Sequence, residues 1–163
     1  MSARRLNPVQ RRAWLSYMRV YHRLEYEMNS QLKRDCDMSL ADFTVMNALT
    51  LAPDSRAHLN VLATTIGWER SRLSHHVQRM SRRGLVSRES SQSDARATDV
   101  ALTAAGRRAF ESAAPAHAEW VRSLFFADLD RERQTHLADI LDTVYESILR
   151  AGTLPRPDLD EDR

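Results

Sequence analysis

Residues 59–80 leave the chain little freedom. Two short stretches of helical periodicity meet across a glycine. Leu59, Leu62, Ala63 and Ile66 are apolar on the first, Leu73, Val77 and Met80 on the second, and Gly67 stands between them. The pair meets the packing demands of a helix-turn-helix. Ala63 is small where the second helix must cross, Gly67 tolerates positive φ in the turn, and Leu62, Ile66, Trp68 and Leu73 can lock the two together. His76, beside Val77, occupies the last locking position.

The second helix, within "ERSRLSHHVQRMSRRGLV" (residues 69–86), has little to bury. Its far side carries Ser71, Arg72, His75, Gln78, Arg79 and Arg82, and after Glu69 no acid follows until Glu89. Residues 67–96 hold seven arginines against three acids, whereas the last ten residues, "LPRPDLDEDR", hold four acids against two arginines. A local basic patch points to a polyanion partner. A helix that enters the major groove of double-stranded DNA needs short or forked donors on its outer face. Arginine contacts guanine O6 and N7 together, while serine and histidine reach base edges or phosphates. Arg70, Ser71, Arg72, Ser74, His75 and Arg79 are the candidate contacts.

Around this unit the chain reads as mainly helical. A first helix from about Pro8 to Asp35 carries Trp14, Tyr17, Met18, Tyr21, Leu24, Met28 and Leu32 on one side, with Glu25 inside the stripe calling for an ion-pair partner. Ser39 caps a second helix, with Asp42 as the acid of a capping box, and Pro53 ends it. "PDSRAH" reads as a loop. Gly84 closes the basic helix as its C′ residue. "LVSRE" and "ATDVALT" alternate around the polar "SSQSDAR" and predict a hairpin whose Val86, Thr98, Val100 and Leu102 face inward. At its tip Arg96 can enter the minor groove, oriented by Asp94. Thr103 caps a long helix that Pro115 should bend or interrupt. Asp130 caps a last helix with Leu137, Ile140, Leu141, Val144, Ile148 and Leu149.

"LNVLATTIGWERSRLSHHVQRMSRRGLVSRE" followed by "SDARATDVALTAAGRRAF" resembles the MarR family of bacterial winged-helix regulators, most strongly over residues 58–108. "RMSRRGLVSRE", the D-A-R of the wing and "VALTAAGRR" carry the resemblance. It implies a winged helix-turn-helix, mainly α with a small β-hairpin wing, flanked by N- and C-terminal dimerisation helices. The expected division is residues 1–36 for the first dimerisation helix, 37–103 for the DNA-binding unit, 104–152 for the C-terminal dimerisation helices, and 153–163 for a disordered acidic tail. It also implies a homodimer on a pseudo-palindromic operator and regulation by a small aromatic or phenolic effector; because an occupied site blocks polymerase, a repressor is expected. Arg11, Trp14, Tyr17, Met18, Tyr21 and His22 are the candidate effector contacts, the alternative being that these aromatics are dimer core. "GWERSRLSHH" departs from the family's small-residue opening of this helix. His76 stands where the family ordinarily has an apolar residue; it reads as a satisfied core-edge histidine, with a pH-sensitive core position as the alternative.

An enzyme is disfavoured. There is no glycine-rich phosphate loop and no H-E-x-x-H spacing, so neither a cofactor nor a metal is expected. The single cysteine, Cys36, cannot form an internal disulfide, and the neighbouring Asp35 and Asp37 disfavour a reactive thiolate. No apolar run approaches the ~18–20 residues that span a bilayer, and the start lacks a secretory pattern, so the expected location is cytoplasmic. The competing reading is a winged-helix protein-interaction or dimerisation module without specific DNA binding.

Overall fold

The computed structural model describes residues 5–90 and 98–157. Its first helix, α1 (Pro8–Cys36), starts at an Asn7–Gln10 capping box with Pro8 in the first turn. It ends where Asp37 turns left-handed at φ 48°. Helix α2 (Leu40–Leu51) begins at the expected Ser39–Asp42 capping box, in which Ser39 Oγ accepts from Asp42 N at 3.0 Å and Asp42 accepts from Ser39 N at 3.2 Å.

The segment read as a loop before the helix-turn-helix is more ordered than expected. A single 3-10 turn (Pro53–Ser55) leads into a strand, β1 (Arg56–His58). Strands β2 (Val86–Ser90) and β3 (Thr98–Leu102) form the predicted hairpin arms, and β1 pairs antiparallel with the other edge of β3. The sheet order is therefore β1-β3-β2. Making β3 central alters its burial pattern. Val100 is buried as predicted, but so is Asp99, because register places His58 opposite it and Arg56 beside it. The tip of the hairpin, with Asp94 and Arg96, lies outside the described residues, as do residues 158–163 of the acidic tail.

Helices α3 (Leu59–Thr65) and α4 (Arg70–Arg82) form the helix-turn-helix. Both end in the same way: the residue past the cap is a glycine at positive φ, Gly67 at 68° and Gly84 at 73°. The following amides then reach back, Trp68 N to Ala63 O at 2.9 Å and Leu85 N to Met80 O at 3.1 Å. The core is built from these helices, α2 and the sheet: Val45, Met46, Leu49, Leu62, Leu73, Val77, Met80, Val86 and Val100 are all buried.

Helix α5 (Ala104–Phe125) runs through Pro115 without the expected interruption. Pro115 and Glu111, whose carbonyl loses its helical partner, are both exposed, so water can satisfy the freed group. Helix α6 (Arg131–Ala151) starts at the Asp130 cap and has no buried residue in the single chain. Its Ile140, Leu141, Val144 and Ile148 are exposed, as are Trp14, Tyr17, Val20 and Tyr21 of α1.

The start of α5 is tied to the end of α4. Thr103 Oγ1 donates to Gly84 O at 2.6 Å and accepts from Gly106 N at 2.9 Å. A Cβ at Gly106 would sit 1.9 Å from the Leu85 carbonyl oxygen, a backbone atom that cannot swing aside. Gly106→Ala should therefore force α5 away from the α4–β2 junction and destabilise the fold by about 1–3 kcal/mol. Urea denaturation checks this; an unchanged midpoint would contradict the close approach.

Candidate nucleic-acid interface

Helix α4 turns one stripe inward, Leu73, His76, Val77 and Met80, all buried. Ser71, His75, Gln78 and Arg82 lie on the opposite, exposed face, with Arg70, Arg72 and Arg79 exposed beside them. Of the contacts expected from sequence, Ser74 is half-buried and stands at the edge of this surface. Gln78 and Arg82 face outward as fully as any candidate. Their position in the helical period was sufficient to place them there, though neither was among the candidate contacts. On β2, Arg88 is exposed as well.

The flanking arginines are held. Arg72 lies over the Trp68 ring, its guanidinium carbon 4.1 Å from the centroid. Arg79 Nη2 lies 2.9 Å from His76 Nδ1. The same Trp68 ring meets that of His76 nearly perpendicularly, with 5.7 Å between ring centroids.

Behind His76 sits Asp42 of α2, buried and surrounded by donors. Arg83 Nη1 donates to Asp42 Oδ2 at 2.7 Å. His76 Nε2 lies 3.1 Å from Oδ1, close enough for electrostatic attraction but not aligned as a hydrogen bond. Burial alone would raise the Asp42 carboxyl. The His76, Arg83 and Ser39 contacts outweigh it and hold the group well below the usual carboxylate range. The core-edge histidine foreseen from sequence is thus part of a carboxylate-centred joint between α2 and α4.

A second polar group ties the sheet together. Asp99 pairs with His58 Nδ1 and lies 3.7 Å from Arg56 Nη1, which also holds Glu89 at 3.0 Å. These contacts connect all three strands at the base of the wing.

The candidate effector contacts form a ladder on the first half of α1. Trp14 and Tyr17 are 5.7 Å apart, Tyr17 and Tyr21 6.2 Å, and Tyr21 meets His22 edge-on at 5.2 Å. Met18 is half-buried, whereas Arg11, Trp14, Tyr17, Tyr21 and His22 are exposed in the single chain; Glu25 is exposed too. A different aromatic group lies where α1, α2 and α5 meet. Phe43 contacts Phe110 and His117, and His117 stacks on Trp120 and donates from Nδ1 to Gln31 Oε1 at 2.8 Å. Burial pushes the His117 imidazole down. Partial burial, followed by the Asp35 charge, pushes the Cys36 thiol up, away from a reactive thiolate. Among the described residues no group of three or more side chains could hold a metal ion, and no helix is long and apolar enough to cross a membrane.

A three-stranded sheet behind a helix-turn-helix, with a long helix on either side in sequence, defines a winged helix-turn-helix protein. A family model described as MarR family matches residues 37–97. Sco3205, a MarR family transcriptional regulator from Streptomyces coelicolor solved in complex with DNA, is 33% identical. That match covers 94% of this chain and 97% of the other, with a TM-score of 0.85. AbsC, a MarR family transcriptional regulator from the same organism, is 29% identical over 90% of this chain and 98% of its own, with a TM-score of 0.81. The M. tuberculosis regulator MOSR, solved in complex with DNA, is 26% identical over 83% of this chain and 96% of its own, with a TM-score of 0.64. No curated protein sequence matches. The chain belongs to the MarR family of transcriptional regulators, which are not enzymes.

The depressed Asp42 carboxyl makes a signed prediction. Its contribution to stability is complete above the ordinary carboxylate pKa of about 3.9 and is lost as pH falls through the lower folded value. Asp42→Asn should therefore cost about 1–3 kcal/mol at neutral pH, and the gap to the parent should narrow as the pH drops below about 4. Denaturant titrations across pH measure the gap; a constant difference would contradict the buried anion.

Proposed function

We propose that the protein is a sequence-specific double-stranded-DNA-binding repressor that acts as a homodimer in a bacterial cytoplasm. The exposed face of α4 carries this reading. Ser71, His75, Gln78 and Arg82 point away from the core, Arg72 and Arg79 flank them, and Sco3205, the relative that aligns over 94% of the chain, was solved with DNA. Arg70 and Ser74 complete the α4 surface. Asp94 and Arg96 at the wing tip are assigned to the adjacent minor groove by the chemistry of the pair alone. A protein seated on a promoter blocks polymerase, which favours repression.

The homodimer reading is supported by the exposed apolar faces of α1 and α6 at opposite ends of the sequence. Two copies that cover them would present two α4 helices to successive major grooves of a pseudo-palindrome, roughly 10 bp apart. In this arrangement residues 37–103 form the DNA-binding unit, and residues 1–36 and 104–152 form the dimerisation helices. A small aromatic effector that stacks on the Trp14–Tyr17–Tyr21 ladder, with Met18 and His22 alongside and Arg11 as a carboxylate anchor, would weaken DNA binding if it favoured another spacing of the two α4 helices.

The test is a gel-shift titration with a duplex selected from random sequence by the protein itself, against an unrelated competitor. Specific binding that weakens with salt is expected; no binding at low salt would instead favour a protein-interaction module. Arg72→Ala should lose about 1–3 kcal/mol more on the selected duplex than on the competitor, while equal losses would reduce it to a phosphate contact. Leu141→Asp with Val144→Asp should abolish the dimer in sedimentation, and a surviving dimer would refute the end-helix interface.

A further inference from the structure

We propose that His76 is a positioning residue for DNA recognition, holding Arg79 in place through a neutral imidazole packed between Trp68 and Asp42. The inference rests on the reading of α4 as the DNA-contacting helix and adds a residue that touches no DNA itself.

The contacts fix the protonation pattern. A guanidinium has only donors, so at 2.9 Å from Arg79 Nη2 the His76 Nδ1 must present a lone pair. The proton of the neutral ring then sits on Nε2, which faces Asp42 Oδ1 at 3.1 Å. His76 is 7% exposed, and the Trp68 ring packs nearly perpendicular to its own, so it cannot turn freely. Arg79, by contrast, is exposed and would otherwise sample many rotamers. One hydrogen bond to a buried, fixed acceptor removes much of that freedom before DNA arrives.

The same contact is incompatible with a second proton on the ring. An imidazolium would place an N–H at Nδ1, where Arg79 now donates, and two cations would face each other. The contact to Asp42 would strengthen while Arg79 was released. Asp42 is the charged group that α2 turns towards the ring, and Arg79 is the one from α4 itself, with Arg83 acting through Asp42. Trp68 of the turn is uncharged, and α3 carries no charged residue. Arg88 and Glu89 of β2 make no ion pair or hydrogen bond with His76 among the described residues.

The test combines two measurements. In the free protein, nitrogen-15 NMR of the histidines should show His76 as the neutral Nε2–H tautomer at pH 8; the Nδ1–H tautomer would overturn the proposal without reference to DNA. In DNA binding to the selected duplex, His76→Leu should lose affinity by about fivefold to tenfold, as expected for one hydrogen bond. It should lose little more in an Arg79→Ala background, because the two act as a unit. His76→Asn, whose Oδ1 stands close to the position of Nδ1, should recover most of the affinity. Circular dichroism confirms that each variant is folded, and His76→Asn keeps the test open if His76→Leu is not. Unchanged affinity in a folded His76→Leu beside a weakened Arg79→Ala would overturn the positioning role alone. No specific binding by the parent would overturn the functional reading and this inference with it.

Discussion

Burying the carboxylate of Asp42 is the constraint around which the helix-turn-helix is arranged. An anion removed from water costs several kcal/mol unless its partners are close and well placed. Asp42 finds them in three directions: the Ser39 backbone amide at the start of its own helix, Arg83 at the end of α4, and His76 in the middle of it. The apolar stripe of Leu73, Val77 and Met80 sets which side of α4 faces inward. The Arg83 and His76 contacts to one carboxylate tie that side to α2.

From there the consequences run outward along α4. With Leu73, His76, Val77 and Met80 turned in, Ser71, His75, Gln78 and Arg82 must turn out. Trp68, placed by the turn at Gly67, serves both neighbours, lying under the Arg72 guanidinium and meeting the His76 ring at a near-perpendicular angle. Past Gly84, the Thr103 hydroxyl and the missing side chain at Gly106 seat α5 directly on the end of this assembly. Helix α5 is thereby tied to the end of α4.

Much of this was legible locally. Capping residues, glycines at positive φ and helical periodicity act within a few positions, and Ser39, Asp42, Gly67, Gly84, Thr103 and Asp130 all behave as their chemistry requires. What escaped was long-range. The three residues of β1 carry no alternation strong enough to mark a strand, and become one because Asp99 and its neighbours pair with them. Asp42 could be read as a capping acid, but its bond to Arg83 spans 41 residues and leaves no trace in either local pattern. His76 was visible as an intruder at an apolar position; its partners were not. Pro115 does not interrupt α5, because whether a proline ends a helix depends on whether its freed carbonyl meets water, which sequence spacing does not reveal.

The account stands on α4 entering a major groove, and dimethyl sulfate protection of the selected duplex examines this most directly. Guanine N7 lies in the major groove and adenine N3 in the minor groove, so the reagent distinguishes the two surfaces. The account predicts protected guanine N7 positions in two clusters roughly one helical turn, about 10 bp, apart. Guanine N7 atoms that react as freely in the complex as in bare DNA would contradict it.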